Sequence, residues 1–343
     1  MSYDALLLLS FGGPEKRDDV LPFLENVLRG KNVPRERMLA VAEHYYEFGG
    51  VSPINQQNRD LLSALEPELR AHGIDLPIYW GNRNWHPMLS DTLRQMQADG
   101  VRQSLVFVTS VFSSYSGCRQ YREDIIKAQQ ELGAEALQFH KIRTFFNHPG
   151  FIETMVDRVQ DAAAKLPDAS PEQTRLVFTA HSIPMAMAEN CNYEKQLRES
   201  CRLISQQAGY QHWELDYQSR SGPPQQPWLE PDVCDALRRI KADGQQSSVI
   251  VIPVGFVSDH MEVVYDLDHE AHDAAQELGL PMARAATAGT HPRFIQMIRQ
   301  LIEERLGRTS ERLAIGDLPA GHDICSENCC LYDPPRRPSA TSS

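Results

Sequence analysis

Four groups of residues in this sequence have types and spacings that could do chemistry. The first is Phe178-Thr179-Ala180-His181-Ser182-Ile183-Pro184. It places a histidine just past an apolar run that reads as a buried strand. An imidazole there can accept a proton or bind a metal near neutral pH, although a strand-end histidine can equally be structural. The second is the run from Phe256 to Glu270, which follows the apolar segment Ser248–Val254. On an α-helix its Asp259, Glu262, Asp266 and Glu270 fall at i, i+3, i+7 and i+11, near one face. Like charges at such spacings disfavour a helix by about 0.2–0.5 kcal/mol per pair. The stripe is therefore either a solvated acidic face or a path for a divalent cation. Its start at a strand's carboxyl end favours the path, and carboxylates with imidazoles suit ferrous iron.

The third group, Cys325-Ser326-Glu327-Asn328-Cys329-Cys330, packs three thiols into six residues. With one distant thiolate it could hold an iron–sulfur cluster, which takes four. Zinc is the inorganic alternative, and unliganded cysteines near a chain end are the plain one. Spacing leaves the fourth ligand open among Cys118, Cys191, Cys201 and Cys234. The fourth group, Ser113 to Glu123, sets hydroxyls and guanidinium groups at a helix start. It could bind carboxylates or simply cap the helix.

These residues need a scaffold that brings strand ends together. Apolar strands are predicted at Ala5–Ser10, Ile78–Gly81, Ser104–Ser110, Leu176–Ala180, Ser248–Val254 and Met282–Thr287. Amphipathic helices are predicted at Arg59–His72, Leu89–Ala98, Gln120–Leu132, Glu194–Gln207 and Val233–Lys241. Near-continuous apolar strands alternating with helices predict parallel sheets covered on both faces. Two series of about four strands predict two similar α/β domains, joined near Pro167–Glu172. A doubly wound sheet binds its ligand beyond the carboxyl ends of its strands, where the first, second and fourth groups lie.

Composition narrows the function. The 343 residues suffice for one large or two ordinary domains, and 41% hydrophobic with 23% charged residues is an ordinary globular profile. A formal charge of −12 argues against a nucleic-acid partner, because phosphate binding needs a basic face. No apolar run approaches the roughly 18 residues of a membrane span. The N-terminus lacks the basic region and cleavage site of a secretory signal, so a cytoplasmic protein is expected. Seven cysteines are an odd number spread over a long chain, unlike a small disulfide framework. There is no phosphate loop and no G-x-G-x-x-G after a strand. Ser221–Pro231 reads as an ordered proline-rich loop, and the stretch from Asp333 onward has the composition of a disordered tail.

Five motifs then occur in order: Leu9-Ser10-Phe11-Gly12-Gly13-Pro14, Gly49-Gly50-Val51-Ser52-Pro53-Ile54, His181-Ser182-Ile183-Pro184, Tyr217-Gln218-Ser219-Arg220-Ser221-Gly222-Pro223 with Pro227-Trp228-Leu229, and Ser258-Asp259-His260-Met261-Glu262. Together they resemble the ferrochelatase family along essentially the whole chain. The stretch Tyr115-Ser116-Gly117-Cys118-Arg119-Gln120-Tyr121-Arg122 is most similar to its actinobacterial, coproporphyrin III branch.

The resemblance implies an α/β fold of two similar Rossmann-like, chelatase-type domains with parallel sheets and a porphyrin in the cleft between them. It implies domains at 1–167 and 168–290, and a helix near His291–Leu306 that packs back onto the first. A cysteine-bearing extension at 307–332 and a disordered tail at 333–343 complete the expected layout. His181 and Glu262 would face each other over the macrocycle centre as catalytic residues and ligands of the substrate iron. Asp266 and His269 would carry metal in or protons away. Ser52 and Tyr121, with Arg29 and Tyr45, would contact the porphyrin's propionates. Phe11 stands where the Firmicutes enzymes have a tyrosine that can reach the metal. The iron–sulfur members of the family imply a 2Fe–2S cluster on Cys118, Cys325, Cys329 and Cys330.

The implied activity is that of a lyase inserting Fe(2+) into coproporphyrin III. The polar stretch Asn32–Phe48, where membrane-associated relatives carry an apolar lip, favours this water-soluble porphyrin over protoporphyrin IX. A cobalt or nickel chelatase of the same fold, and a haem or iron–sulfur carrier without turnover, are the alternatives. No membrane insertion is expected. The expected state is a monomer in transient contact with other haem-pathway enzymes.

Overall fold

The apolar strands pair into two parallel sheets of four. In the first, β1 (Ala5–Ser10), β2 (Ile78–Asn82), β3 (Gln103–Val108) and β4 (Gln138–Lys141) lie in the order β2-β1-β3-β4. In the second, β5 (Thr174–His181), β6 (Trp213–Gln218), β7 (Ser248–Ile252) and β8 (Met282–Arg284) repeat that order as β6-β5-β7-β8. The computed structural model describes residues 2–30, 33–134, 136–167, 169–222 and 225–332. The tail 333–343 lies outside the described residues. So do Asn32 of the polar stretch, Asp168 of the expected joint, and Pro223 and Pro224 of the proline-rich loop.

Every residue of β1 and β7 is buried, because helices cover both faces of each sheet. Leu7 of β1 pairs with Tyr79 on one side and Val106 on the other, while Val177 of β5 pairs with Glu214 and Val251. The sequence pattern missed β4 and β6, which close one edge of each sheet. Neither Gln-Phe-His-Lys nor the alternating Trp-Glu-Leu-Asp-Tyr-Gln is a continuous apolar run of the kind that marks the central strands.

The reversal of strand order puts the crevice of the second sheet between the carboxyl ends of β5 and β7. His181 is the last residue of β5, one position earlier in the fold than the loop site expected for it. The turn after β7 leads to Glu262 in a short helix, Met261–Val263. The next segment, Val264–Ala271, winds as a π-helix rather than an α-helix. Tyr115–Arg119, ahead of the helix Gln120–Leu132, does the same. Such turns widen the spacing of side chains and recur at functional sites.

The helix Pro292–Leu306 packs on the helices Ile54–Ala71 and Pro149–Ala163. Arg299 pairs with Glu68 at 2.7 Å. Arg143 meets both carboxylate oxygens of Glu304 at 2.7 and 2.8 Å, with 1% and 8% of these side chains exposed. The Arg143 guanidinium also donates to the Leu313 carbonyl, which ties down the start of the C-terminal extension. Among the described residues, no helix is long and apolar enough to cross a membrane.

Candidate active site

His181 sits where the fold exposes a strand end, and its two ring nitrogens have separate partners. Nδ1 contacts the Ser182 carbonyl, and Nε2 lies 3.3 Å from Glu262 Oε1. A carbonyl can only accept, so Nδ1 carries a proton and Nε2 faces the carboxylate. Tyr193 donates to the His181 carbonyl at 3.0 Å and fixes the end of β5. Burial works against the charged imidazole, but Glu262, the Ser182 carbonyl and Asp266 outweigh it and raise His181 to about 9. The resting pair is an imidazolium beside a carboxylate. A separation of 3.3 Å leaves no room for a flat ring between the two groups.

Three residues of the acidic run stay together, since Asp266 feels the charges of Glu262 and Glu270, while Asp259 departs from them. Asp259 turns to Arg284 at 3.2 Å, and its N–H donates to Gln57 at 2.8 Å. Asp268 also pairs with Arg284. Asp266 turns inward, where Ser219 and Gln218 donate to Oδ2. Burial pushes the Asp266 carboxyl up to about 7; the Ser219 hydroxyl lowers it, while Glu262 and Glu270 add to the rise. Gln218 donates to the Glu262 carbonyl as well, at 2.6 Å. His269 points outward to Asp273 at 3.3 Å. The structure thus brings Asp266 to His181 and Glu262, while His269 pairs with Asp273.

Two further residues join this centre. His260 Nδ1 accepts from the Glu262 N–H at 3.2 Å and lies 3.8 Å from Glu262 Oε2. Burial, chiefly, keeps this second imidazole below its ordinary value. It belongs to the S-D-H-x-E motif, which was the signal for it. Tyr45 reaches the site from the other lobe, on the helix Arg35–Glu47. Burial first, then the charges of Glu262 and Asp266, push its phenol well above the ordinary range, so it remains a donor. The neighbouring His44 stacks on Tyr265 with ring centroids 3.8 Å apart and planes 5° from parallel. Tyr265 in turn stacks on His269 at 5.5 Å. This column of rings joins the lobes at the rim of the cleft.

The remaining expected porphyrin contacts line the first lobe. Phe11 follows β1 with 37% of its surface exposed, edge-on to Phe23. Tyr121 is buried under the Arg83 guanidinium, 4.6 Å above its ring. Ser52 is buried against the glycine turn: a Cβ on Gly13 would stand 2.8 Å from Ser52 Oγ. Arg29 is exposed and donates to Asn26 Oδ1 at 2.5 Å. Arg83, placed between Phe11 and Tyr121, carried no sequence signal of its own.

Both the sequence and the two-sheet fold have known counterparts. The ferrochelatase family model matches residues 3–306. The chain belongs to the ferrochelatase family. It is 62% identical to the ferrochelatase of Rhodopirellula baltica over 338 residues, covering 98% of this chain and 96% of that one. It is 50% identical to the coproporphyrin III ferrochelatase of Streptomyces coelicolor (98% and 96% covered). Identity to the coproporphyrin III ferrochelatase of Mycolicibacterium smegmatis is 52% (93% and 94% covered). The fold also matches that of the cobalt-bound sirohydrochlorin chelatase of Bacillus subtilis subspecies spizizenii. The TM-score there is 0.53 at 10% identity, over 90% of this chain and 98% of that one. A member of this family is an enzyme that puts metal into a porphyrin, and Fe(2+) fits as its substrate.

A second constellation lies away from the cleft. Cys118, Cys325, Cys329 and Cys330 line a cavity of about 660 Å³ together with Tyr121 and Lys141; neither His181 nor Glu262 lines it. All seven cysteines are unpaired. A hydrogen bond from Cys325 holds Cys118 down at about 5 against the cost of burial, with Lys141 adding to the effect. The Cys325 thiol is pushed up in return. Cys329 and Cys330 have their sulfurs 3.7 Å apart. Arg119 anchors this loop by donating to the carbonyls of Glu327 at 2.7 Å and Cys329 at 3.0 Å. Four convergent thiols, one of them already favouring the thiolate, fit the donor set of an iron–sulfur cluster. Cys191 also feels the charges of Cys118 and Cys329, whereas Cys201 is buried in the core.

Proposed function

We propose that this chain is a lyase that inserts Fe(2+) into coproporphyrin III to give coproheme. The 3.3 Å contact between His181 and Glu262 at the switch point of the second sheet carries the reading. Insertion replaces two pyrrole N–H protons with one iron, so the site must receive a cation and dispose of two protons. Ferrous iron arriving at Glu262 favours the neutral form of His181 and displaces its proton. The freed Nε2 can then accept a pyrrole proton as the metal passes to the ring nitrogens. Asp266, raised to about 7, can take up and release protons near neutral pH on the way out. A cleft that holds the macrocycle puckered exposes its nitrogen lone pairs and resembles the transition state.

Coproporphyrin III is supported by two relatives of that name at about half identity and by the polar character of the helix Arg35–Glu47. With Phe11 in place of a ligating tyrosine, axial ligation from that side of the ring should be absent or different. Ser52, Tyr121, Arg29 and Tyr45 are proposed to meet the propionates, and His269 to stand at the outer end of the proton or metal path. The domains are proposed as 1–167 and 168–290, with the helix Pro292–Leu306 belonging to the first. Cys118, Cys325, Cys329 and Cys330 would hold a 2Fe–2S cluster, which would supply a sulfur-ligated iron centre outside the porphyrin cleft. The protein is read as a cytoplasmic monomer in transient contact with the enzymes that supply and consume its porphyrin.

Proton counting tests the reading. In weakly buffered anaerobic solution with a pH indicator, each coproporphyrin III converted should release two protons. Iron and porphyrin binding without stoichiometric proton release would favour a carrier. Faster conversion with Co(2+) or Ni(2+) than with Fe(2+) would favour the alternative chelatases.

A further inference from the structure

One face of the second sheet carries a row of polar side chains that leads away from the active site. Successive residues of a strand point to opposite faces, so Gln218, Asp216 and Glu214 of β6 share one face. The register pairs them with His181, Thr179 and Val177 of β5. Each step along the row is about 6–7 Å. At its inner end, Gln218 Nε2 donates to the Glu262 carbonyl at 2.6 Å and to Asp266 Oδ2 at 3.3 Å. At its outer end, Glu214 pairs with Arg175 at 3.7 Å and with the half-exposed Arg239 at 2.6 Å.

Asp216 stands in the middle with 1% of its surface exposed. The helix Val233–Asp243 covers this face with Val233, Leu237 and Ile240, which cluster with Val177. A carboxyl placed there is costly unless it is partnered. Arg239 Nη2 approaches Asp216 Oδ1 only to 3.9 Å, and Oδ2 has no hydrogen-bond partner among the described residues. Thr179 Oγ1, on the paired residue, and Gln218 Oε1, one step nearer the cleft, are also buried and unpartnered among them. Three such atoms at adjacent positions match the two to four partners of a buried water. Burial, chiefly, raises the Asp216 carboxyl to about 8; Glu214 and Asp232 add to the rise, and Arg239 and Arg175 oppose it. The resting group is therefore a neutral acid, which can accept on one oxygen and donate from the other.

We propose that Asp216 relays protons from the active site to the surface along this row. The role rests on the metallation reading, in which each iron displaces two pyrrole protons. A proton held on Asp266 passes to water oriented by Gln218 Oε1 and Thr179 Oγ1. That water protonates Asp216 Oδ2 as the proton on Oδ1 leaves for the Glu214 carboxylate, which hands it to solvent. Each transfer breaks one O–H bond and makes another. Rotation of the Asp216 carboxyl then resets the row.

Infrared spectra of the full-length protein read the relay before any turnover. Near pH 7 Asp216 should give a protonated-carboxyl band that Asp216→Asn removes. D2O should shift that band faster than the backbone amides of β5 and β6 exchange. In stopped flow with coproporphyrin III, Fe(2+) and a pH indicator, wild-type proton release should keep pace with the Soret change. In Asp216→Asn release should lag and turnover should fall by at least about 10-fold, less than on losing the base itself. Asp216→Glu should restore both. Thr179→Val, which removes only a hydroxyl, should cause the same lag and serves as the test if Asp216→Asn does not fold. Prompt proton release and wild-type turnover in these variants would overturn the relay, and so would an Asp216 band that exchanges no faster than the backbone. A wild type that leaves coproporphyrin III unmetallated would instead remove the reading on which the relay rests.

Discussion

His181 Nε2 and Glu262 Oε1 lie 3.3 Å apart, which joins the last residue of β5 to the turn that follows β7. The two strands are neighbours in the sheet, so their carboxyl ends open on the same side. Glu262 thereby charges a histidine that burial alone would keep neutral. The charged pair is built into the fold by the pairing of β5 with β7.

Substitution of His181 should separate chemistry from folding. The ring lies at the cleft rather than in a packed core, and about a third of its side chain (31%) is exposed. His181→Ala should lower iron insertion by about 10²–10⁴-fold, the range for losing an acid–base group, with a melting temperature near that of the wild type. Near-normal turnover would remove His181 from the mechanism.

The charge state of His181 predicts a pH signature. Its value rises from 6.5 to about 9 on folding. The pair therefore contributes its full stability below 6.5, and that contribution is lost as pH rises through about 9. Imidazole NMR signals should report titration of His181 near pH 9 in the free protein. Glu262→Gln removes the chief charge that favours the imidazolium, so His181 should then titrate at or below its ordinary value. A wild-type His181 titrating below 6.5 would contradict the electrostatic account.

The glycine turn after β1 makes a steric prediction. A Cβ on Gly13 would lie 2.7 Å from Ser52 Cβ and 2.8 Å from Ile54 Cγ2, so the turn and the G-x-S-P-I segment are in direct contact. Gly13→Ala should cost about 1–3 kcal/mol of stability, as overpacking does. The urea midpoint checks this; an unchanged midpoint would mean that the turn yields freely.

The buried Arg143–Glu304 pair fastens the last helix to the first lobe. Glu304→Ala leaves a buried guanidinium without its carboxylate and should cost about 3–5 kcal/mol. It should also increase proteolysis of the segment after residue 306, because Arg143 anchors the Leu313 carbonyl. A loss below about 1 kcal/mol would show that water compensates the charge.

Much of this architecture is visible in the chain itself. The central strands are continuous apolar runs, and the helices Leu89–Ala98 and Gln120–Leu132 have the bounds that their periodicity gives. His181 and Glu262 stand in short motifs next to strand ends. The edge strands β4 and β6 were hidden because at least half their residues are polar and neither is a continuous apolar run. A helical wheel of 3.6 residues per turn sets Asp259 with the other three acids, but it stands ahead of the helix and pairs with Arg284. The π-helix Val264–Ala271 turns Asp266 to Ser219 and leaves His269 at the rim. Tyr45 and Arg83 act through contacts with residues far along the chain, which no local pattern encodes.

The most direct measurement is anaerobic incubation of the protein with Fe(2+) and, separately, coproporphyrin III and protoporphyrin IX, followed by the Soret shift of each. The account predicts fast conversion of coproporphyrin III and little or none of protoporphyrin IX. Preferential conversion of protoporphyrin IX would contradict the substrate assignment, and conversion of neither would contradict the catalytic role given to His181 and Glu262.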